Sequence, residues 1–158
     1  MTQPRKEEVE SFFFKAMMDG YAAQGSKKTK VVDMPGYKEI RFQDGEFLLV
    51  DRWCVNPLSP KSAGTTTIWI QEFPVWVMNY GGFYEESVIA LLKHVLRNTY
   101  EAHQFIGGRG PILYEEGDLV YMNHPDHNEF AEFDGDEEIF DVKGTSFGYH
   151  KYWGMKLF

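Results

Sequence analysis

The chain has 158 residues, a net charge of −8 and a pI near 5.1. Hydrophobic residues make up 43% and aromatics 16%, enough apolar area to build a core, which excludes disorder for most of the length. The acidic balance repels phosphates and argues against direct nucleic-acid binding, and no apolar run approaches the roughly 20 residues that span a bilayer.

The first periodic segment is Arg5 to Ala23. Val9, Phe12, Phe13, Ala16, Met17 and Gly20 fall at spacings of three and four, which predicts an amphipathic helix. Pro4 suits its start, Glu7, Glu8 and Glu10 complement the dipole, and Gly25 is the expected stop. Lys27-Lys28-Thr29-Lys30 is the only basic run and reads as a solvated loop, within a polar stretch from Gln24 to Gly36 that has room for a short strand at Val31-Val32.

Tyr37–Phe42 and Glu46–Cys54 predict a hairpin turned by Gln43-Asp44-Gly45, because glycine accepts the positive φ such turns demand. Asn56 to Gly64 carries Pro57 and Pro60 and reads as a loop. Thr65–Glu72 and Val75–Tyr80 predict a second hairpin around Phe73-Pro74, ended by Gly81-Gly82. A second helix is expected from Glu85 to Gln104, on the stripe Val88, Leu91, Leu92, Val95, Leu96 and Tyr100. Further strands are expected at Ile112–Glu115, Asp118–Asn123, Glu129–Phe133 with Glu137–Val142, and Phe147–Trp153.

The two halves resemble each other. Phe42 to Asp51, around Gly45, matches Tyr114 to Asn123, around Gly117, with the two glycines 72 residues apart. Gly64 to Trp69 matches Gly135 to Phe140, and Met78 to Gly82 matches Lys151 to Met155. The expected fold is α+β: one domain over residues 1–158, built from two tandem α-β-β-β-β units with antiparallel sheets. The units cover about residues 5–82 and 84–156 and form a pseudo-two-fold internal repeat. They could join edges or pack faces, and either leaves a groove between halves.

Pro74-Val75-Trp76-Val77-Met78-Asn79-Tyr80-Gly81-Gly82 resembles the P-x-W-x-M-N-Y-x-G signature of a bacterial domain of unknown function. That domain occurs alone or C-terminal to XRE-type helix-turn-helix regions. Tyr21-Ala22-x-x-Gly25, Arg109-Gly110-Pro111 before Tyr114-x-x-Gly117-Asp118, and Phe133-x-Gly135-x-Glu137-x-Ile139 agree with it. The first half reads Ser62-x-Gly64-x-Thr66 where the family pattern has Phe-x-Gly-x-Glu. The resemblance implies a stand-alone relative of a regulator's accessory domain and brings no catalytic or binding residues with it.

Chemistry-bearing clusters are sparse. His124-Pro125-Asp126-His127 suits a metal in residue type but lacks a third ligand at defined spacing, and reads as a loop. Asp134-Gly135-Asp136-Glu137-Glu138 reads as a solvated turn. Gly107-Gly108-Arg109-Gly110 could cradle an anion but reads as a connection. His94 is expected at the surface, while His103 and His150 have no obvious partner. Cys54, the single cysteine, excludes an intramolecular disulfide framework, suits a reducing compartment and is expected to be a packed thiol.

Strand aromatics are the stronger signal. Trp and Tyr pair flat apolar area with one polar tip. Asp51, Trp53, Trp76, Asn79, Tyr80, Tyr121 and Trp153 are the candidate ligand-binding residues, with no catalytic or metal-ligating set. The expected function is a cytoplasmic, non-enzymatic small-molecule-sensing or interaction module, with no cofactor and no nucleic-acid or membrane partner. Alternatives are an enzyme using Asp, Glu and His as acid–base groups, or a homodimeric assembly module.

Overall fold

The computed structural model describes residues 4–22 and 27–158, with the side chains of Tyr21 and Ala22 left aside. Ala23 and Gly25, read as the helix end and its stop, lie outside the described residues.

Helix α1 (Lys6–Ala16) runs on as a wider, π-helical turn over Met17–Ala22. Strands β1 (Thr29–Lys30), β2 (Tyr37–Asp44), β3 (Phe47–Asn56), β4 (Ser59–Ile70) and β5 (Phe73–Tyr84) follow. Helix α2 (Ile89–Glu101) connects to β6 (Leu113–Glu116), β7 (Leu119–Glu129), β8 (Glu132–Asp141) and β9 (Ser146–Lys156). All nine strands form one antiparallel sheet in the order β1-β2-β3-β4-β5-β9-β8-β7-β6. The fold is therefore α+β, and its sheet is joined through the β5–β9 edge rather than by packed faces.

Both helices lie on one face. Phe13 of α1 meets the rings of Trp76, Tyr100, Phe105 and Phe130 at centroid distances of 5.1 to 6.1 Å. Leu92, Val95, Leu96 and Tyr100 of α2 join the same core. Trp76 is completely buried, stacked against Phe130 and Phe133, and its indole N–H donates to the Phe130 carbonyl. Burying one such side chain contributes on the order of 3 kcal/mol.

Several strand boundaries differ from the sequence reading, for local reasons. The Asn56–Gly64 loop shrinks to the turn Pro57-Leu58, because β4 starts at Ser59. The second hairpin turns at Gln71-Glu72, with Gln71 at φ 56° and its N–H donating to the Glu46 carbonyl. Pro74 instead sits inside β5 opposite an irregularity at Ile68/Trp69, where a missing N–H does little harm. Gly81-Gly82 does not end β5, which continues to Tyr84 beside β9. Asp134 to Glu138 is no turn: Glu129–Phe133 and Glu137–Val142 merge into β8, which runs unbroken from Glu132 to Asp141. His124 to His127 lies within β7, at a bulge between Pro125 and His127. The short strand expected at Val31-Val32 forms at Thr29–Lys30.

Candidate functional site

Two polar arrangements stand out, one on each face of the sheet. Under the helices, β3, β4 and β5 bring Asp51, Thr66 and Tyr80 together. Asp51 is 3% exposed, and its Oδ1 accepts from the Tyr80 hydroxyl at 2.7 Å and the Thr66 hydroxyl at 2.9 Å. Burial pushes the Asp51 carboxyl up, against the lowering by those hydroxyls and by the Arg109 and Lys28 cations.

Across the β5–β9 pairing lies a second cluster. The Tyr152 hydroxyl donates to Asn123 Oδ1 at 2.7 Å, and the Asn123 amide donates to the carbonyls of Ile106 and Gly110. Beside it, Arg109 Nη2 meets Glu137 Oε1 at 2.5 Å, with side chains 4% and 0% exposed. The Tyr121 hydroxyl donates to Glu137 Oε2 at 2.5 Å and accepts from the Gly110 N–H at 3.0 Å. Burial works to raise the Glu137 carboxyl, yet the charge and hydrogen bond of Arg109, with His150 and Tyr121, leave it below the usual value. Burial and then the Arg109 charge push the His150 imidazole down to about 4, while burial and then the Glu137 charge push the Tyr121 hydroxyl well up. His150 stacks on Tyr80 at 5.8 Å and so links the two clusters.

The opposite, helix-free face carries an open groove of about 860 Å³ over β2 to β5. Leu48, Val50 and Trp69 line it with apolar area. Arg41, Arg52 and Tyr37 from β2 and β3, and Asn79 and Tyr80 from β5, border it. Asn79 Oδ1 accepts from the Thr65 hydroxyl at 2.8 Å. Glu39 accepts from both arginines, at 2.8 Å from Arg52 Nη2 and 3.3 Å from Arg41 Nη1. The hydrogen bonds from Arg52, with the hydrogen bond and charge of Arg41, hold its carboxyl down against partial burial. Cys54 is half-buried at the groove, and its thiol faces the Ala63 carbonyl at 3.4 Å.

The seven residues singled out from sequence therefore divide between faces. Asp51, Trp76, Tyr80 and Tyr121 point to the helix side, and Trp76 and Tyr121 are fully buried there. Asn79 and Trp153 are cross-strand neighbours on the helix-free side. Trp53 is half-buried, with the Lys28 ammonium 5.8 Å from its ring centroid. Only Asn79 and Tyr80 border the groove.

The sequence reading missed Arg109, Glu137 and His150. His150, for which the sequence offers no obvious partner, lies against Tyr80, Tyr84 and Arg109. The missed signal is alternation: Phe133, Gly135, Glu137 and Ile139 share a face, so Glu137 had to point inward with them. Arg109, in the glycine-rich connection considered as an anion cradle, instead holds this carboxylate. Among the described residues, no group of three or more His, Cys, Asp or Glu is placed to hold a metal ion. His124 lies 3.6 Å from Asp136, and no described helix is long and apolar enough to cross a membrane.

Residues 59–156 match the family described as Domain of unknown function (DUF5680). The chain belongs to this family. The match covers β4 to β9 and α2, and so includes Glu137, Arg109, Tyr80 and Tyr152 but not Asp51. No curated protein and no solved structure matches the chain.

Proposed function

We propose that this member of the DUF5680 family is a non-enzymatic small-molecule-sensing module whose ligand occupies the groove on the helix-free face. The observation that carries the reading is the groove of about 860 Å³, within the usual range for small-molecule sites, with two arginines over an apolar floor. A metabolite with an aromatic body and a carboxylate fits that chemistry. Its ring would lie against Trp69, and its carboxylate would take the guanidinium donors that Glu39 leaves open on Arg41 and Arg52. Asn79 and Thr65 would add one polar contact to set orientation.

The same reading takes the chain as a tandem duplication. Support comes from the strand order, in which β5-β4-β3-β2 and β9-β8-β7-β6 run outward alike, with the two-residue β1 added on one side. Tyr80→Asp51 and Tyr152→Asn123 are equivalent hydrogen bonds, each spanning 29 residues. Gly45 and Gly117 also turn their hairpins with φ of 59° and 60°. The Pro74–Gly82 run supports kinship with accessory domains of bacterial XRE-type regulators, and a cytoplasmic ligand accords with that.

A thermal-shift panel of aromatic carboxylates tests the ligand, since a compound that binds only the folded state raises apparent stability. The expected hit quenches Trp69 fluorescence and loses at least about tenfold in affinity in Arg52→Ala, which removes a charge-assisted contact. A hit with unchanged affinity in Arg52→Ala, or no response across the panel, removes the groove from consideration.

A further inference from the structure

We infer that the helix-free face of the sheet docks a second copy of this chain, about a two-fold axis parallel to the central strands. Both helices cover the other face. On the bare one, β9 presents Tyr149, Trp153 and Met155, which are 36%, 51% and 36% exposed. Three large exposed apolar side chains on one face of a central strand of nine, with Lys151 between the first two, mark a surface that is normally covered.

The charges on this face lean to opposite sides, with Glu39 among the cations and Lys151 beside the acids. Arg41, Arg52 and Lys61 lie on β2, β3 and β4, while Asp134, Asp136 and Glu138 lie on β8. The strand register places them in rows. Arg52, Thr65, Asn79, Trp153 and Asp134 are successive cross-strand partners. Lys61, Phe83, Tyr149 and Glu138 are another such series. Each row runs from a cation through an aromatic residue to an acid.

Within the chain some of this charge is already met. Glu39 holds Arg41 and Arg52 from one side, and Asp136 has Lys151 as its cross-strand neighbour and His124 at 3.6 Å. Asp134 and Glu138 at one end, and Lys61 at the other, remain as complementary ends of the rows.

A two-fold axis along the strands reverses every row of the second copy. Cations of one copy then lie over acids of the other, with the β9 aromatics between them. An axis across the strands would set like charges over like. The face is self-complementary in one orientation only, as an isologous interface requires. This inference is independent of the groove's ligand, which such a dimer would enclose.

Sedimentation velocity on the full chain tests it with two charge-reversed variants. The natural chain is expected to be a dimer that weakens with added salt. Arg52→Asp/Lys61→Glu sets acids against acids, and Asp134→Lys/Glu138→Lys sets bases against bases, so each alone is expected to be monomeric. Mixed together they are expected to form a one-to-one heterodimer, which only two folded chains can do. A natural chain that stays monomeric, a variant that stays dimeric, or a mixture that stays monomeric would each overturn the proposal. A monomeric natural chain that still binds an aromatic carboxylate would overturn the dimer and leave the groove reading standing.

Discussion

Tyr80 and Tyr152 are cross-strand neighbours at the centre of the sheet, and each donates its hydroxyl at 2.7 Å, one to Asp51 and the other to Asn123. The geometry is the same and the acceptor differs. Asn123 must be an amide, because its Nδ2 donates to two carbonyls. Asp51 accepts from two hydroxyls, and burial disfavours its charge. Asp51→Asn is therefore expected to keep the fold, and to hold or raise stability at neutral pH by up to about 1 kcal/mol. Asn123→Asp turns two donors into a carboxylate facing carbonyls and should cost about 2 to 4 kcal/mol. Urea denaturation of the two variants checks the asymmetry. Equal losses would mean that the two acceptors have equivalent surroundings.

The Arg109–Glu137–His150 cluster predicts acid sensitivity. His150 titrates near 4 when folded and near 6.5 when unfolded. Between those values the unfolded chain binds more protons, so stability falls as pH falls, by up to about 3 kcal/mol across the window. Glu137 has a depressed folded value, so its contribution is present above the ordinary carboxylate range and is lost as pH drops through its folded value. The two act in the same direction. Asp51, with its raised value, acts oppositely over its own range. His150→Gln should flatten the slope between pH 6.5 and 4, as read from denaturation midpoints at several pH values. A slope unchanged by that substitution would assign the sensitivity elsewhere.

Removing one partner of the buried ion pair should be worse than removing both. Glu137→Ala leaves the Arg109 guanidinium, 4% exposed, without its carboxylate, and should cost about 3 to 5 kcal/mol. Arg109→Met combined with Glu137→Met removes both charges and keeps volume, so it should cost less than either single change. A double-mutant cycle gives the coupling directly. Additive losses would show that the pair is solvated rather than buried.

How much of this was legible in the sequence follows from period. The α2 stripe and the Asp44-Gly45 hairpin signal rest on local rules, and both elements form. Glu137 was hidden because an acidic run suggests solvent, and only the alternation with Phe133 and Ile139 reveals its inward side. Pro57 and Pro60 suggested a long loop, but a two-residue turn absorbs the first and the start of β4 holds the second. His150 and Arg109 are 41 residues apart and meet only through the sheet order, which no local pattern encodes. Asn79 borders the groove, while Trp76 faces the core with Met78 and Tyr80, the alternate residues of β5 that turn toward the helices.

Two glycines are fixed by the tyrosine hydroxyls. A Cβ on Gly64 would stand 2.5 Å from the Tyr80 hydroxyl and 2.8 Å from the Arg52 carbonyl, and one on Gly135 would strike the His124 carbonyl, the Pro125 backbone and the Tyr152 hydroxyl. In the first case a side chain must swing away and the Asp51 bond is lost. Both obstacles include backbone, which cannot yield cheaply, and at Gly135 that backbone stands closer. Gly135→Ala is expected to cost more than about 2 kcal/mol and Gly64→Ala somewhat less. Gly45→Ala meets no neighbour within 4 Å and should cost only about 1 kcal/mol for its positive φ. Thermal melts rank the three, and a Gly45 variant as damaged as the Gly135 variant would contradict the packing described.

Trp76 gives the sharpest contrast with the groove. Its ring is fully buried against Phe130, Phe133 and Phe13, so Trp76→Ala opens a large cavity where β5 meets α1. The expected cost is about 3 to 5 kcal/mol, enough to unfold a marginal domain. Trp76→Phe keeps most of the volume and loses only the bond to the Phe130 carbonyl, so it should fold with a loss of about 1 to 2 kcal/mol. Any groove ligand should bind Trp76→Phe with nearly native affinity, because the indole lies on the far side of the sheet from Arg52 and Trp69. A calorimetric titration in which Trp76→Phe folds but loses the ligand would move the binding site to the helix face, beside Asp51 and Tyr80.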